Sequence, residues 1–490
     1  MHTITRHWMN PDILLHDHDI ETGRLLYTYN YTEFCSMIDR WKAILIEKYD
    51  AKPGQAISLV MGPNLRYYAL LFACMELAMP FIVDWPHCYS ESDLNLPKLQ
   101  MFGQFDYVYQ AQFHYDPSHP RHVPWEVKRD KMYTKHTIFQ EEFFEYELKD
   151  PSLIDKMANT VWCTPESIFL ITSSSGTTGF PKRIEMNHHK MYIMSDRMGR
   201  KLFVPGDSVL HTTNLHHGAA CGHHFLPGFK YGKEQFTLHH TLATYDVVKF
   251  VIENKINQVF RYTSDLLAEF LQEMPRVDYR LQLTTLFQIT PPCVSLIKEK
   301  NVHYAQSLFG GNEIGIGMFF KRVDQTTDPE TYDVRNMGPA ESDFWDIELR
   351  DGDLWLKSDL IPQEWRTSND RFELNEKGEF IFLGRANEYR IWGEWFKLRD
   401  LESKTRELFG AGANIVPDPD NQQIYLAIWE ENPTAEKALA QWFEDNYNKI
   451  HVTFVLRGHD RDEFFNSRKT DNSKIRYVCR NLIHQQQEKK

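Results

Sequence analysis

Between residues 56 and 85 the chain reads AISLVM, then LRYYALLFACMELA, then PFIVDW. The outer stretches are short, apolar and β-branched, and the middle one is apolar on nearly every side with the length of a helix. A strand, a buried helix and a second strand in close succession limit the fold more than any other feature, because strands that alternate with helices point to an α/β sheet. YTEFCSMIDRWKAILIEKY at 31–49 adds a helix just upstream, and the alternation continues to about residue 320. From 345 to 383 the pattern turns to short strands, DIELR, DLWLKS and EFIFLG. The last hundred residues are more charged and read as a small separate α+β unit, ending in HQQQEKK at 484–490, a tail expected to be disordered. Residues 112–126, with three His, three Pro and one Tyr, read as a long irregular loop.

At 490 residues the chain is long for one core, so two or more domains are expected. A hydrophobic content of 42% with 14% aromatics argues for a packed protein rather than disorder. The net charge of −13 gives no reason to expect nucleic acid. The longest apolar run, 67–83, is interrupted by Glu76 and Pro80 and is too short for a membrane segment. MHTITRHWMN carries no apolar signal core. Seven cysteines lie scattered without paired spacing, which suggests reduced thiols in a cytoplasmic setting.

TSSSGTTGFPKR at 172–183 is the stretch poorest in bulk and richest in hydroxyls. Thr172, Ser173, Ser174, Ser175, Gly176, Thr177, Thr178 and Gly179 offer backbone amides and small donors, and Lys182 offers a point charge. Small residues let the backbone approach a ligand closely, and successive N–H groups form an anion nest, so a polyphosphate is the expected guest. SIFLIT before the loop and KRIEM after it read as strands. Phe180 and Pro181 break the spacing of a Walker loop. On these residues alone, a plain Ser/Gly-rich surface turn remains open.

HTTNLHHGAACGHHF at 211–225 holds five histidines. A metal site is conceivable, but no cysteine or acid joins them at ligand spacing, and adjacent histidines on a strand point apart.

Several motifs then resemble, in order, those of the AMP-forming adenylating enzymes: acyl-CoA synthetases, peptide-synthetase adenylation domains and luciferases. SSGTTGFPK is similar to the family's phosphate loop. FGGNE at 309–313 resembles its Tyr-Gly-x-Thr-Glu block, with Asn312 in place of threonine. SNDRFELNEKGEFIFLGR at 368–385 resembles its Thr-Gly-Asp to Gly-Arg block, and RIWGEWFKLRDLE its small-domain loop. KTDNSKIR at 469–476 resembles its terminal lysine motif. The resemblance covers roughly residues 25–480.

The resemblance implies a large N-terminal domain, residues 1–386, of layered α/β sheets with a short-stranded β subdomain. A small mobile α+β domain, 387–490, follows, hinged at Asn387. It implies activation of a carboxylic acid by ATP and Mg²⁺ with loss of pyrophosphate, then transfer to a thiol, CoA or that of a carrier protein. Phe309 would stack on adenine, Gly310 would belong to the nucleotide site, Asn312 would reach the α-phosphate, and Glu313 would bind Mg²⁺. Asp370 would accept the ribose hydroxyls, Arg385 would match the family's nucleotide-binding arginine after the glycine, and Lys474 would be the catalytic lysine. The acid pocket falls on His216, His217, Ala219 and Gly222, and thiol access on Gly393. The pocket segment lacks the aspartate of amino-acid-activating members, so a non-amino acid, aryl or medium acyl, is expected. A stand-alone adenylation enzyme loading a carrier protein and a non-catalytic nucleotide-binding relative are the competing readings; Arg183, Asn312, Asn387 and Ser473 are the departures that favour the latter.

Overall fold

The structure, a computed structural model, describes residues 2–18, 23–60, 64–84, 105–110, 134–139, 142–173, 183–211, 220–237, 244–260, 264–286, 288–310, 319–340, 345–350, 352–358, 366–385, 388–391, 394–410, 412–418, 423–447, 450–459, 464–466, 469–470 and 472–488. Three sheets build its larger part. The first contains β1 (Leu14–His18) and β2 (Leu25–Asn30). The second contains β3 (Ile57–Val60), β4 (Phe81–Asp84), β5 (Phe105–Gln110), β6 (Thr134–Phe139), β7 (Ile168–Ser173) and β8 (Arg183–Asn187), in the order β6-β5-β3-β4-β7-β8. All its neighbours are parallel except β7 and β8, which form an antiparallel pair. The first sheet continues with β9 (Ser208–His211), β10 (Glu234–Thr237), β11 (Gln258–Phe260), β12 (Gln282–Thr285), β13 (Tyr304–Phe309) and β14 (Phe319–Asp324). Its order is β14-β13-β12-β11-β9-β10-β1-β2, parallel within and antiparallel at both edges. The third sheet is an antiparallel meander of β15 (Asp346–Arg350), β16 (Asp353–Lys357), β17 (Arg366–Leu374) and β18 (Phe380–Arg385).

Helix α1 (Tyr31–Tyr49) has the bounds that its spacing predicts. Asn30 accepts from the Glu33 amide at 3.0 Å and Glu33 accepts from the Asn30 amide at 2.9 Å, a reciprocal cap. Helix α2 (Leu65–Glu76) is capped by Asn64, which accepts from the Tyr67 amide at 2.9 Å. It ends two residues before the sequence suggests, because Ala78 turns out at a positive φ of 52°. Tyr67, Tyr68, Leu70, Leu71 and Phe72 are all sealed in the core, each apolar body contributing about 1.5–3 kcal/mol.

Beyond Phe396 a separate set of buried side chains takes over, among them Leu401, Ile415, Leu426, Leu439 and Phe443. They belong to β20 (Glu394–Lys397), which pairs with β19 (Glu388–Ile391), to β21 (Ala413–Asp418) and β22 (Gln423–Ile428), and to the helices Leu398–Phe409 and Pro433–Asn446. This is the expected small α+β unit. One expectation is corrected. The terminal helix runs from Asn472 to Glu488, so residues 484–488 continue a helix instead of forming a disordered tail. Glutamine and glutamate are good helix formers, and the buried Ile475 and Cys479 anchor the turns before them. The irregular loop expected at 112–126 lies outside the described residues.

Candidate active site

In a parallel sheet, ligands gather beyond the carboxyl ends of the strands. The phosphate-loop sequence follows β7 at that end of its sheet. Thr172 is buried in β7 opposite Ile184, and Ser173 faces Arg183 in register. The two flanking strands are therefore those that the sequence suggests. Ser174, Ser175, Gly176, Thr177, Thr178, Gly179 and Lys182 lie outside the described residues. Arg183 is half exposed, with Nη2 2.6 Å from Glu185 Oε1.

Phe309 ends β13 at the same end of the other large sheet, and Gly310 after it is exposed. The ring of Phe309 is half-buried in an aromatic cluster, 5.3 Å from Phe382, 5.6 Å from Phe372 and 6.0 Å from Phe319. Phe372 and Phe382 belong to β17 and β18, the strands in which Asp370 and Arg385 stand opposite each other in register. Two motifs sixty residues apart in sequence thus meet through one cluster of rings. Asn312 and Glu313 lie outside the described residues. A glutamate carboxylate is a hard oxygen donor, which fits Mg²⁺.

Lys474 sits in the first turn of the terminal helix and is only 6% exposed. Its Nζ lies 5.6 Å from the centre of the Phe464 ring. Its neighbours hold the turn: Arg476 Nε donates to Pro417 O at 2.8 Å, and Arg480 Nε reaches Asp418 Oδ2 at 2.7 Å. Gly393 and Asn387 lie outside the described residues.

His216, His217 and Ala219 of the expected acid pocket also lie outside them, but Gly222 is described and buried. It falls in a π-helical turn, Cys221–Phe225, that leads into the helix Leu226–Tyr231. Such turns are rare and recur at functional sites. The turn carries His223 and His224, both buried, and faces His211 at the end of β9. The His211 and His224 rings are 5.3 Å apart. Burial pushes His211 down to about 4 and His223 down to about 3, and it drives His224 well below the usual imidazole range. All three are neutral near pH 7. Gln235, which sequence reasoning missed, accepts from His211 Nε2 at 2.6 Å. Its one signal is an amide in the short, mostly buried strand EQFT. Among the described residues, no group of three or more His, Cys, Asp or Glu is arranged to hold a metal ion. Nor is any helix among them long and apolar enough to cross a membrane, and the six described cysteines are free thiols.

A family model described as AMP-binding enzyme matches residues 22–314. A 3-hydroxybenzoate–CoA ligase of Aromatoleum sp. (strain CIB) is 39% identical over 70 residues, 14% of this chain and 13% of that protein. A 3-hydroxybenzoate–CoA/4-hydroxybenzoate–CoA ligase of Thauera aromatica is 35% identical over 75 residues, 15% of this chain and 14% of that protein. These matches span a small fraction of either relative's length. O-succinylbenzoate coenzyme A synthetase from Bacillus subtilis, solved with AMP, superposes over 95% of both chains with a TM-score of 0.67 at 15% identity. The same enzyme solved with ATP and magnesium ion gives a TM-score of 0.64 at 15% identity, over 92% of this chain and 94% of that one. At such identity the likeness is one of fold: a large N-terminal and a small C-terminal domain.

Proposed function

The chain belongs to the AMP-binding enzyme family, and from that premise we propose that it is an AMP-forming ligase joining a carboxylic acid to the thiol of CoA. The observation that carries the reading is the meeting of Phe309 with the strands of Asp370 and Arg385. A base held against Phe309 would have its ribose on the Asp370 side. A carboxylate suits a diol because it accepts two hydrogen bonds. The hydroxyl loop from Thr172 to Lys182 would cradle the β- and γ-phosphates.

In the first half-reaction an oxygen of the acid bonds to the α-phosphorus, and the bond to the bridging oxygen of the β-phosphate breaks, releasing pyrophosphate. Both partners are anions, so orientation and charge neutralisation dominate the barrier. Lys474 would bridge the two with a compact charge. Glu313 would hold Mg²⁺, which supplies charge neutralisation on the phosphates when bound. In the second half-reaction the CoA sulfur, its proton lost to solvent, bonds to the acyl carbon and AMP leaves. Division into residues 1–386 and 387–490, with a hinge at Asn387 and thiol access along the segment of Gly393, belongs to this proposal. It is supported by the separate sets of core side chains that end at Phe380 and begin at Phe396.

ATP–pyrophosphate exchange across a panel of acids, followed by CoA, tests the reading. Lys474→Ala should lose roughly 10²-fold or more in exchange. Given synthetic acyl-adenylate and CoA, it should still form thioester at near the parental rate. A melting curve accompanies the assay, because Lys474 is buried against Phe464. Exchange by a folded Lys474→Ala protein at the parental rate would remove Lys474 from the first step. No exchange with any acid by the parent would sink the ligase reading.

A further inference from the structure

His211 and His224 are more than 95% buried, and both stand at the carboxyl end of the first sheet, where a ligand is expected. Their hydrogen-bonding states can be worked out. Gln235 Nε2 donates to Gly228 O at 2.8 Å, which turns its Oε1 toward His211 as an acceptor. His211 Nε2, 2.6 Å from that oxygen, must therefore carry the proton. In a neutral ring this leaves Nδ1 as a bare acceptor. In the neighbouring ring, His224 Nε2 is buried and has no hydrogen-bond partner. An unpaired buried nitrogen is a standing cost unless a ligand or an ordered water meets it. The surroundings are aromatic: His211 lies 5.6 Å from Phe225 and 5.8 Å from Tyr68, and His224 lies 5.2 Å from Phe260 and 6.0 Å from Phe203.

We propose that His211 and His224 form the polar end of the acid pocket and select an aromatic acid that carries a hydroxyl group on its ring. The inference rests on the ligase reading above and deepens it. A hydroxyl donates one hydrogen bond and accepts another, which suits two neighbouring rings of which one carries an acceptor Nδ1 and the other an unpaired Nε2. The aromatic walls take a ring rather than a flexible chain. Neither imidazole is charged near neutral pH, since burial holds both below their usual range, so the pair offers no counter-charge to an ammonium or a second carboxylate. Gly222, in the same π-helical turn as His224, ties this pair to the pocket segment.

The test is exchange kinetics with benzoate, 3-hydroxybenzoate, 4-hydroxybenzoate, 4-aminobenzoate and hexanoate. The better monohydroxybenzoate should exceed benzoate in kcat/KM by about 10²-fold or more, because a site built to bond a hydroxyl rejects the analogue lacking it. In His224→Phe the ratio should fall to within about threefold, through loss on the hydroxybenzoate side, while the melting temperature shows the variant folded. Parity of benzoate with both hydroxybenzoates in the parent, or an unchanged ratio in folded His224→Phe, overturns the proposal. Should His224→Phe not fold, the parental ratio alone decides. Robust exchange with hexanoate and none with the ring acids would leave the ligase reading standing and defeat this one. No exchange with any acid defeats both.

Discussion

Two clusters of polar side chains lie equally deep in this protein and are built on opposite terms. In the first, Arg6, Asp39, Lys42 and Glu76 bring two cations and two anions together, all less than a tenth exposed. Arg6 Nε and Nη2 reach Glu76 at 3.0 and 2.8 Å, its Nη1 reaches Asp39 at 2.8 Å, and its own amide donates to Glu76 at 2.8 Å. Lys42 Nζ reaches Glu76 at 2.7 Å and Thr160 O at 2.8 Å. The charges cancel, and the network pins the N-terminal segment to α1 and α2. In the second cluster, His211 is locked by Gln235 but His224 Nε2 is left without a partner. A fully satisfied network rigidifies the fold around it; on the proposal above, the unpaired nitrogen of the second cluster is the one a ligand hydroxyl meets.

The largest effect that separates them is on stability. Glu76→Leu would strand Arg6 and Lys42 as buried, uncompensated charges, and should cost about 3–5 kcal/mol in denaturant unfolding. His224→Phe removes no hydrogen bond but adds ring volume at a buried site, so it should cost about 1–3 kcal/mol, less than Glu76→Leu. Equal losses in the two variants would mean that the histidines are as structural as the quartet, and the contrast would collapse.

Glu76 also shows where sequence reading stopped. In the run 67–83 it appears as a charge that breaks an apolar segment, and its partners come from residues 6, 39 and 42, which no local pattern connects to it. The elements themselves were legible, because periodicity and capping are local: α1 ends where its spacing ends, and β15 spans the DIELR that the sequence suggests. Part of the site was legible for another reason. Asp370 and Arg385 lie in motifs with fixed spacing, and the turn between β17 and β18 sets them opposite each other. The role of Gln235 was not, since it depends on how the helix after the π-turn rests on β10, a long-range packing relation.

Acid separates the clusters by a smaller amount: both lose stability as pH falls, but in different windows. The histidines' folded values lie below the usual 6.5, so the unfolded chain takes up protons first. Stability is then lost as pH falls from 6.5 toward 4. His211, held at about 4, accounts for about 3 kcal/mol of this loss. Burial alone would raise Glu76, but Arg6 and Lys42 hold it below its usual 4.5, so its contribution is intact above 4.5 and is lost only below. His18 and His188, also held at about 4 by burial, share the upper window. The informative quantity is therefore a difference: His224→Phe should flatten the unfolding profile between pH 6.5 and 4.5, and Glu76→Leu should leave that slope unchanged. A His224→Phe profile parallel to the parent's would mean that His224 does not stay neutral in the fold.

The smallest perturbation tests the second cluster without touching its members. Gly228 lies in the helix Leu226–Tyr231, and its carbonyl orients Gln235. A Cβ built there would meet Gln235 Oε1 and His211 Cε1 at 3.1 Å and Val209 Cγ1 at 3.3 Å. These approaches are tight rather than impossible, so Gly228→Ala should displace the Gln235–His211 pair by a few tenths of an ångström. Alanine also gains about 1 kcal/mol over glycine within a helix, which offsets the crowding and leaves the net stability change below about 1 kcal/mol. Selectivity should respond differently. Once Gln235 no longer fixes the His211 tautomer, Nδ1 is not reserved as an acceptor, and the preference for a hydroxylated ring acid over benzoate should fall about tenfold, or about 1.4 kcal/mol. A variant that melts like the parent yet loses this preference assigns the cluster to recognition. A variant that keeps the preference while losing several kcal/mol of stability assigns it to packing, beside Arg6 and Glu76.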